Sequence, residues 1–151
     1  MIIKGKSRAA AAQAGQYLLD KGKNERTELI EISGTISQDV KNAVKEMEAV
    51  AAGSRCEKFL YHASINLKEG ETLTPEQWKV AADLLEKNLG LEGHQRIIVE
   101  HEKDNRTHHH ILWNRVNPDT MKAVHMSNSY AAHEMTARQL ERDFDLEAVK
   151  G

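Results

Sequence analysis

Two strand-like runs, QRIIVEHE (95–102) and HHHILWNRVN (108–117), are separated by only five polar residues, KDNRT. A gap this short cannot hold the helical crossover that parallel strands need, so the two runs must pair antiparallel as a hairpin. The hairpin decides what the rest of the chain can join. KFLYHASINL (58–67) is rich in aromatic and β-branched residues and reads as a third strand. ELIEISG (28–34) alternates acidic and apolar residues like a half-buried strand, and MIIKG offers another at the N-terminus.

Helical segments lie between these runs. SRAAAAQAGQYLLDKG is alanine-rich, with Ser7 to cap it and Gly22 to end it after Lys21. Val40, Val44, Met47 and Ala51 fall at helical spacing ahead of Gly53. The plainest helix opens at Thr74–Pro75, carries Trp78, Ala81, Leu85 and Leu89 on one stripe, and stops at Gly90. A last helix is expected from Ser127 to about Phe144. The order is helix, strand, helix, strand, helix, two strands, helix, which predicts an α+β fold with a mainly antiparallel sheet.

With 151 residues, 40% apolar and 29% charged, the chain fits one domain over 1–151 with a real core. No apolar run approaches 18 residues and the N-terminus lacks the apolar core of a signal peptide, so membrane insertion is not expected. One cysteine, Cys56, forbids an internal disulfide; it fits a packing role and a reducing, cytoplasmic setting. Net charge is −2, which argues against non-specific nucleic-acid binding by the whole chain. Residues 1–26 nevertheless carry Lys4, Lys6, Arg8, Lys21, Lys23 and Arg26 against Asp20 and Glu25. That excess suits a phosphate-binding face, although charge alone favours a solvated helix end.

The hairpin also concentrates chemistry. Half of the chain's eight histidines, His101, His108, His109 and His110, lie in 99–116. Residues two apart on a strand share a face, so His108 and His110 converge while His109 points away. His101, ending the preceding strand, supplies a third imidazole to that face. Three neutral imidazoles leave metal positions open to water or substrate, a catalytic rather than structural pattern. Such a set accepts Zn²⁺, Ni²⁺ or Mn²⁺. Among Glu100, Glu102 and Asp104, one acid is expected to accept the second N–H of a ligand histidine, with Glu100 and Asp104 preferred. A bound metal would either activate water or polarise a phosphoryl oxygen. The second option needs a nucleophile, and Tyr17 in the first helix, followed by Lys21, Lys23 and Arg26, can be one if it is not simply packed on the core.

HEKDNRTHHHILWNRVN, followed by DTMKAVHMS and TARQLERDFDL, resembles the relaxases. These are the DNA-nicking mobilisation proteins of plasmids and conjugative elements, within the HUH endonucleases. The likeness extends upstream through KFLYHASINLKEGETLTPEQW to ERTELIEISG and MIIKGKSR. It implies a five-stranded antiparallel sheet flanked by helices, and Mg²⁺ or Mn²⁺ held by His101, His108 and His110, with Zn²⁺ or Ni²⁺ able to enter in a preparation. It further implies site- and strand-specific nicking and rejoining of single-stranded DNA at a transfer origin. A tyrosine, mapped to Tyr17, would keep the 5′ end and free a 3′ hydroxyl. Tyr61 and Tyr130 are fallbacks, Tyr61 reading as a packing residue. Arg106 and Arg115 are expected on phosphate. Accessory mobilisation proteins and type IV secretion coupling proteins are the implied partners. His109 stands where the motif has a hydrophobic residue, and Lys103 where an acid is common. A rolling-circle replication initiator, a transposase or a nicking-deficient single-stranded-DNA-binding module are the other readings of the same residues.

Overall fold

A computed structural model describes residues 1–19 and 25–149. The elements run β1 (Ile2–Arg8), α1 (Ala11–Leu19), β2 (Arg26–Ser33), α2 (Val40–Ala52), β3 (Leu60–Asn66), α3 (Pro75–Leu89), β4 (Arg96–Lys103), β5 (Arg106–Asn114) and α4 (Ser129–Asp143). The strands form one sheet in the order β1-β3-β5-β4-β2, and every pairing is antiparallel. The α+β fold and its five-stranded sheet are therefore as expected. Among the described residues, no helix is long and apolar enough to cross a membrane.

The predicted hairpin is β4–β5. Asp104 and Asn105 turn it with φ of 53° and 58°. Two consecutive left-handed residues match the right-handed twist of the flanking strands, and Asp and Asn tolerate that region better than most side chains. Helix α3 follows its local signals: Thr74 accepts from the Gln77 amide, Gln77 reciprocates, and Gly90 closes the helix at φ 77°.

Helices cover both sheet faces. Trp78, Ala81, Leu85 and Leu89 of α3 and Ala132, Ala137 and Leu140 of α4 pack with Ile98, Ile111 and Trp113 on one face. Ala14 and Leu18 of α1 and Val40, Val44 and Met47 of α2 pack with Ile97, Val99 and Leu112 on the other, where half-buried Cys56 joins them. Arg96 ties β4 to its neighbours: its guanidinium meets Glu31 of β2 at 2.5 Å, and Asp83 and Glu86 of α3 at 2.8 and 3.2 Å.

Three local expectations need correction. Ser7 does not cap a helix; it pairs with Tyr61 inside β1, and α1 opens only at Ala11. Pairing along the whole of β3 satisfies the Ser7 backbone in the sheet, and the alanines downstream take the helix. On edge strand β2, a register shift between Leu29 and Glu31 breaks the alternation and leaves Leu29 and Ile30 both exposed. The last helix starts at Ser129, two residues late. Gly22, Lys21 and Lys23 lie outside the described residues.

Candidate metal centre

Strand pairing explains which side chains meet. His101 pairs with His108, and the same row continues through Asn66 on β3 to Ile2 on β1. The next row aligns Val99, His110, Ser64 and Lys4, and the one after it Leu112, His62 and Lys6. All face the side covered by α1 and α2, because paired antiparallel residues share a face and alternate residues return to it.

His101, His108 and His110 each offer a ring nitrogen, and the three lie within 4.8 Å of one another. His101 and His110 are buried and His108 is half-buried, so the cluster opens to solvent on the His108 side. Two of the rings are held from behind. His101 Nε2 lies 2.7 Å from the Leu18 carbonyl, and His110 Nδ1 lies 2.9 Å from His62 Nε2. Nδ1 of His101 and Nε2 of His110 are thereby left for the centre. The Leu18 carbonyl belongs to α1, so one hydrogen bond both orients His101 and ties that helix over the cluster.

Burial lowers the pKa of His110, His62 and His108. It pushes His110 down to about 2, with help from His62, His101 and His108. His62 is pushed down to about 4 by burial, then by Arg8 and Lys6, and His108 is lowered by burial and by His101. A neutral imidazole has the lone pair that a metal needs. The donor set fits a divalent ion with open coordination positions.

Tyr17 sits beside Leu18 on α1, above the cluster. Its ring centroid is 5.3 Å from His62, 5.5 Å from His110 and 6.4 Å from His101. The residue is 40% exposed, so substrate can reach it. The Arg8 guanidinium lies over the same ring at 5.3 Å, and Arg8 Nε is buried without a partner among the described residues. A depression of about 190 Å³ beside Tyr17 is lined by Lys4, Lys6, Arg8, His62 and Ser64. Another of about 640 Å³, on the far side of His108, is lined by Lys4, Arg106 and Lys68 among others.

A model of the MobA/VirD2-like relaxase nuclease domain matches residues 17–146. The chain belongs to that family. Over 87 residues it is also 34% identical to Protein MobA of Acidithiobacillus ferrooxidans, a match covering 56% of this chain and 21% of that protein. The aligned stretch thus spans about a fifth of the length of that curated relative.

Several expected site residues of this relaxase domain stand elsewhere. Glu100 is one residue from His101 and so faces the opposite side of the sheet, where its carboxylate bonds His109 Nε2 at 2.9 Å and pairs with Arg26. Asp104 occupies the hairpin turn, and its amide donates to Glu25. Neither orients a ligand ring; a backbone carbonyl and a fourth histidine do. Arg26 lies on the Glu100 face, where Glu28, Glu100 and Glu102 surround its guanidinium and hydrogen bonds to Glu100 and Glu102 raise its pKa. Arg115 donates to the carbonyls of Val124 and Lys58 beyond the end of β5, and so braces a loop. Tyr130 is exposed on α4, which packs on the opposite face from the cluster. Tyr61 also faces α4, and its hydroxyl meets His133 at 2.9 Å. His109 points away from the cluster as expected, and it packs there, stacked on Trp78 with centroids 3.6 Å apart and planes within 4°.

His62 is the residue that sequence reasoning missed. It carries no spacing signal, because it reaches the site only through the register between β3 and β5.

Proposed function

We propose that this relaxase domain nicks and rejoins single-stranded DNA at a transfer origin, using a divalent metal held by His101, His108 and His110 and Tyr17 as nucleophile. One observation carries the reading: an exposed tyrosine on helix α1 stands over three convergent imidazoles. Family membership and likeness to a MobA protein support plasmid mobilisation as the setting.

When bound, the metal supplies Lewis-acid polarisation of a non-bridging oxygen of the scissile phosphate. The protein's residues do the rest. Tyr17 Oη forms a bond to phosphorus as the bond from phosphorus to the 3′ oxygen breaks. The DNA 5′ end remains on the tyrosine, and the phenolic proton passes through solvent to the departing 3′ oxygen. One phosphodiester replaces another, so the step is reversible and rejoining is the same chemistry run backwards. Arg8, whose buried Nε has no partner among the described residues and whose guanidinium lies over the ring, favours the incoming phosphate. Lys4 and Lys6 hold flanking phosphates along β1, and Arg106 does so beyond His108. The Leu18 carbonyl and His62 keep the ligand rings aimed.

The test uses labelled oligonucleotides tiling both strands of the DNA next to the coding sequence. With Mn²⁺, one strand is expected to be cut at one position, and a second oligonucleotide carrying that 3′ end should be joined to the retained 5′ fragment. EDTA should abolish both. Binding without cutting on every strand would reject the strand-transfer reading and leave a DNA-binding module.

A further inference from the structure

We propose that single-stranded DNA leaving the scissile phosphate runs through the groove between α1 and α2, where Lys41 and Lys45 hold its phosphates. This rests on the strand-transfer reading above and assigns the second arm of its substrate.

Tyr17 sits on a ridge between two depressions. One is the β1 depression already described. The other is a larger groove of about 920 Å³, lined along α1 by Gln13, Gln16 and Tyr17 and along α2 by Lys41, Val44 and Lys45. A phosphate attacked by Tyr17 has nucleotides on both sides, so a strand seated on the β1 side must leave on the other. The groove is the concave surface that the ridge opens onto.

Its chemistry suits a polyanion with flat bases. Lys41 and Lys45 are one helical turn apart on α2 and present two cations along the groove. Both are exposed, and neither makes an ion pair among the described residues. Glu48 is the acid along this lining among the described residues. On the opposite sheet face Arg26, Lys79, Arg96 and Arg138 are paired with carboxylates, which leaves them less available to phosphate than Lys41 and Lys45. The glutamine amides and the apolar floor around Val44 can meet bases without selecting their sequence.

Neutralising Lys41 and Lys45 tests this with fluorescein-labelled dT20 as the probe. In K41Q/K45Q, the affinity at 0.1 M salt should fall about tenfold. The slope of log K against log salt should shrink by about 1.4, the amount two lost phosphate contacts on a single strand produce. Glutamine matches lysine in helix propensity, so the melting temperature should hold. The control K79Q, on the opposite face, should change neither quantity. An unchanged slope in K41Q/K45Q, with a reduced slope in K4Q/K6Q, would confine the strand to the β1 side and overturn the proposal. An unchanged slope with binding of a poly-glutamate peptide would give the groove to a protein partner and overturn it equally. Failure of the unmodified chain to bind both dT20 and every strand tiled in the cleavage test would instead reject the strand-transfer reading itself.

Discussion

Replacing His110 with alanine is expected to weaken Mn²⁺ binding more than about 100-fold, beyond what removal of an orienting partner alone costs. His110 is central to the cluster: its ring lies 4.3 Å from His101 and 5.5 Å from His108. Without it the remaining imidazoles make an incomplete donor set. His62→Ala is the graded companion. His62 touches Nδ1 of His110, so its loss frees the ring to rotate while every ligand remains, and affinity should fall by about 10–100-fold. His109→Ala supplies the contrast. That ring is stacked on Trp78 and bonded to Glu100, so its loss should lower stability and leave metal affinity within about twofold. Calorimetric titration of Mn²⁺ into the three variants reads all of these. An equal loss of affinity in His109→Ala would contradict the facing assigned to the histidine run.

The second large effect falls on stability. Arg96→Met should destabilise the fold by about 3 kcal/mol, the low end of the range for breaking a buried ion cluster from one side. The Arg96 side chain is only 6% exposed and serves Glu31, Asp83 and Glu86 together. Burial disfavours its charge, but hydrogen bonds to Glu31 and Asp83 outweigh that and raise its pKa. Removing it leaves three carboxylates crowded between β2, β4 and α3, and Trp113 Nε1 still donating to Glu86. The low end applies because Asp83 and Glu31 are partly open to water, which screens their repulsion. Urea unfolding measures the change. A loss under about 1 kcal/mol would mean that the cluster is held by packing instead.

The sequence made the hairpin, helix α3 and the facing of the histidines legible, because each depends on local rules. Five polar residues force antiparallel pairing, a Thr-Pro start and a glycine stop bound a helix, and alternation along a strand puts His108 and His110 together. Alternation also excludes Glu100 as a partner of His101, since adjacent strand residues face apart. What stayed hidden depends on strand order. Lys4, Lys6 and Arg8 reach the site because β1 pairs with β3 and β3 with β5, and His62 reaches His110 through the same register. The shielding of Arg26 by Glu100 and Glu102 follows from β2 pairing with β4. None of these pairings has a signature within a single segment. Ser7 shows the same limit from the other side, where a good local capping residue is overruled by a strand partner more than fifty residues away.

The central claim is that Tyr17, set above the three histidines, takes the DNA. The most direct measurement is intact-mass analysis of the protein after incubation with Mn²⁺ and its cleavable strand, followed by peptide mapping of the adduct. The mass should rise by that of the 5′ fragment, the modification should map to Tyr17, and Tyr17→Phe should lose the adduct while still binding DNA. A DNA adduct that persists in Tyr17→Phe, or maps to another residue, would contradict the account.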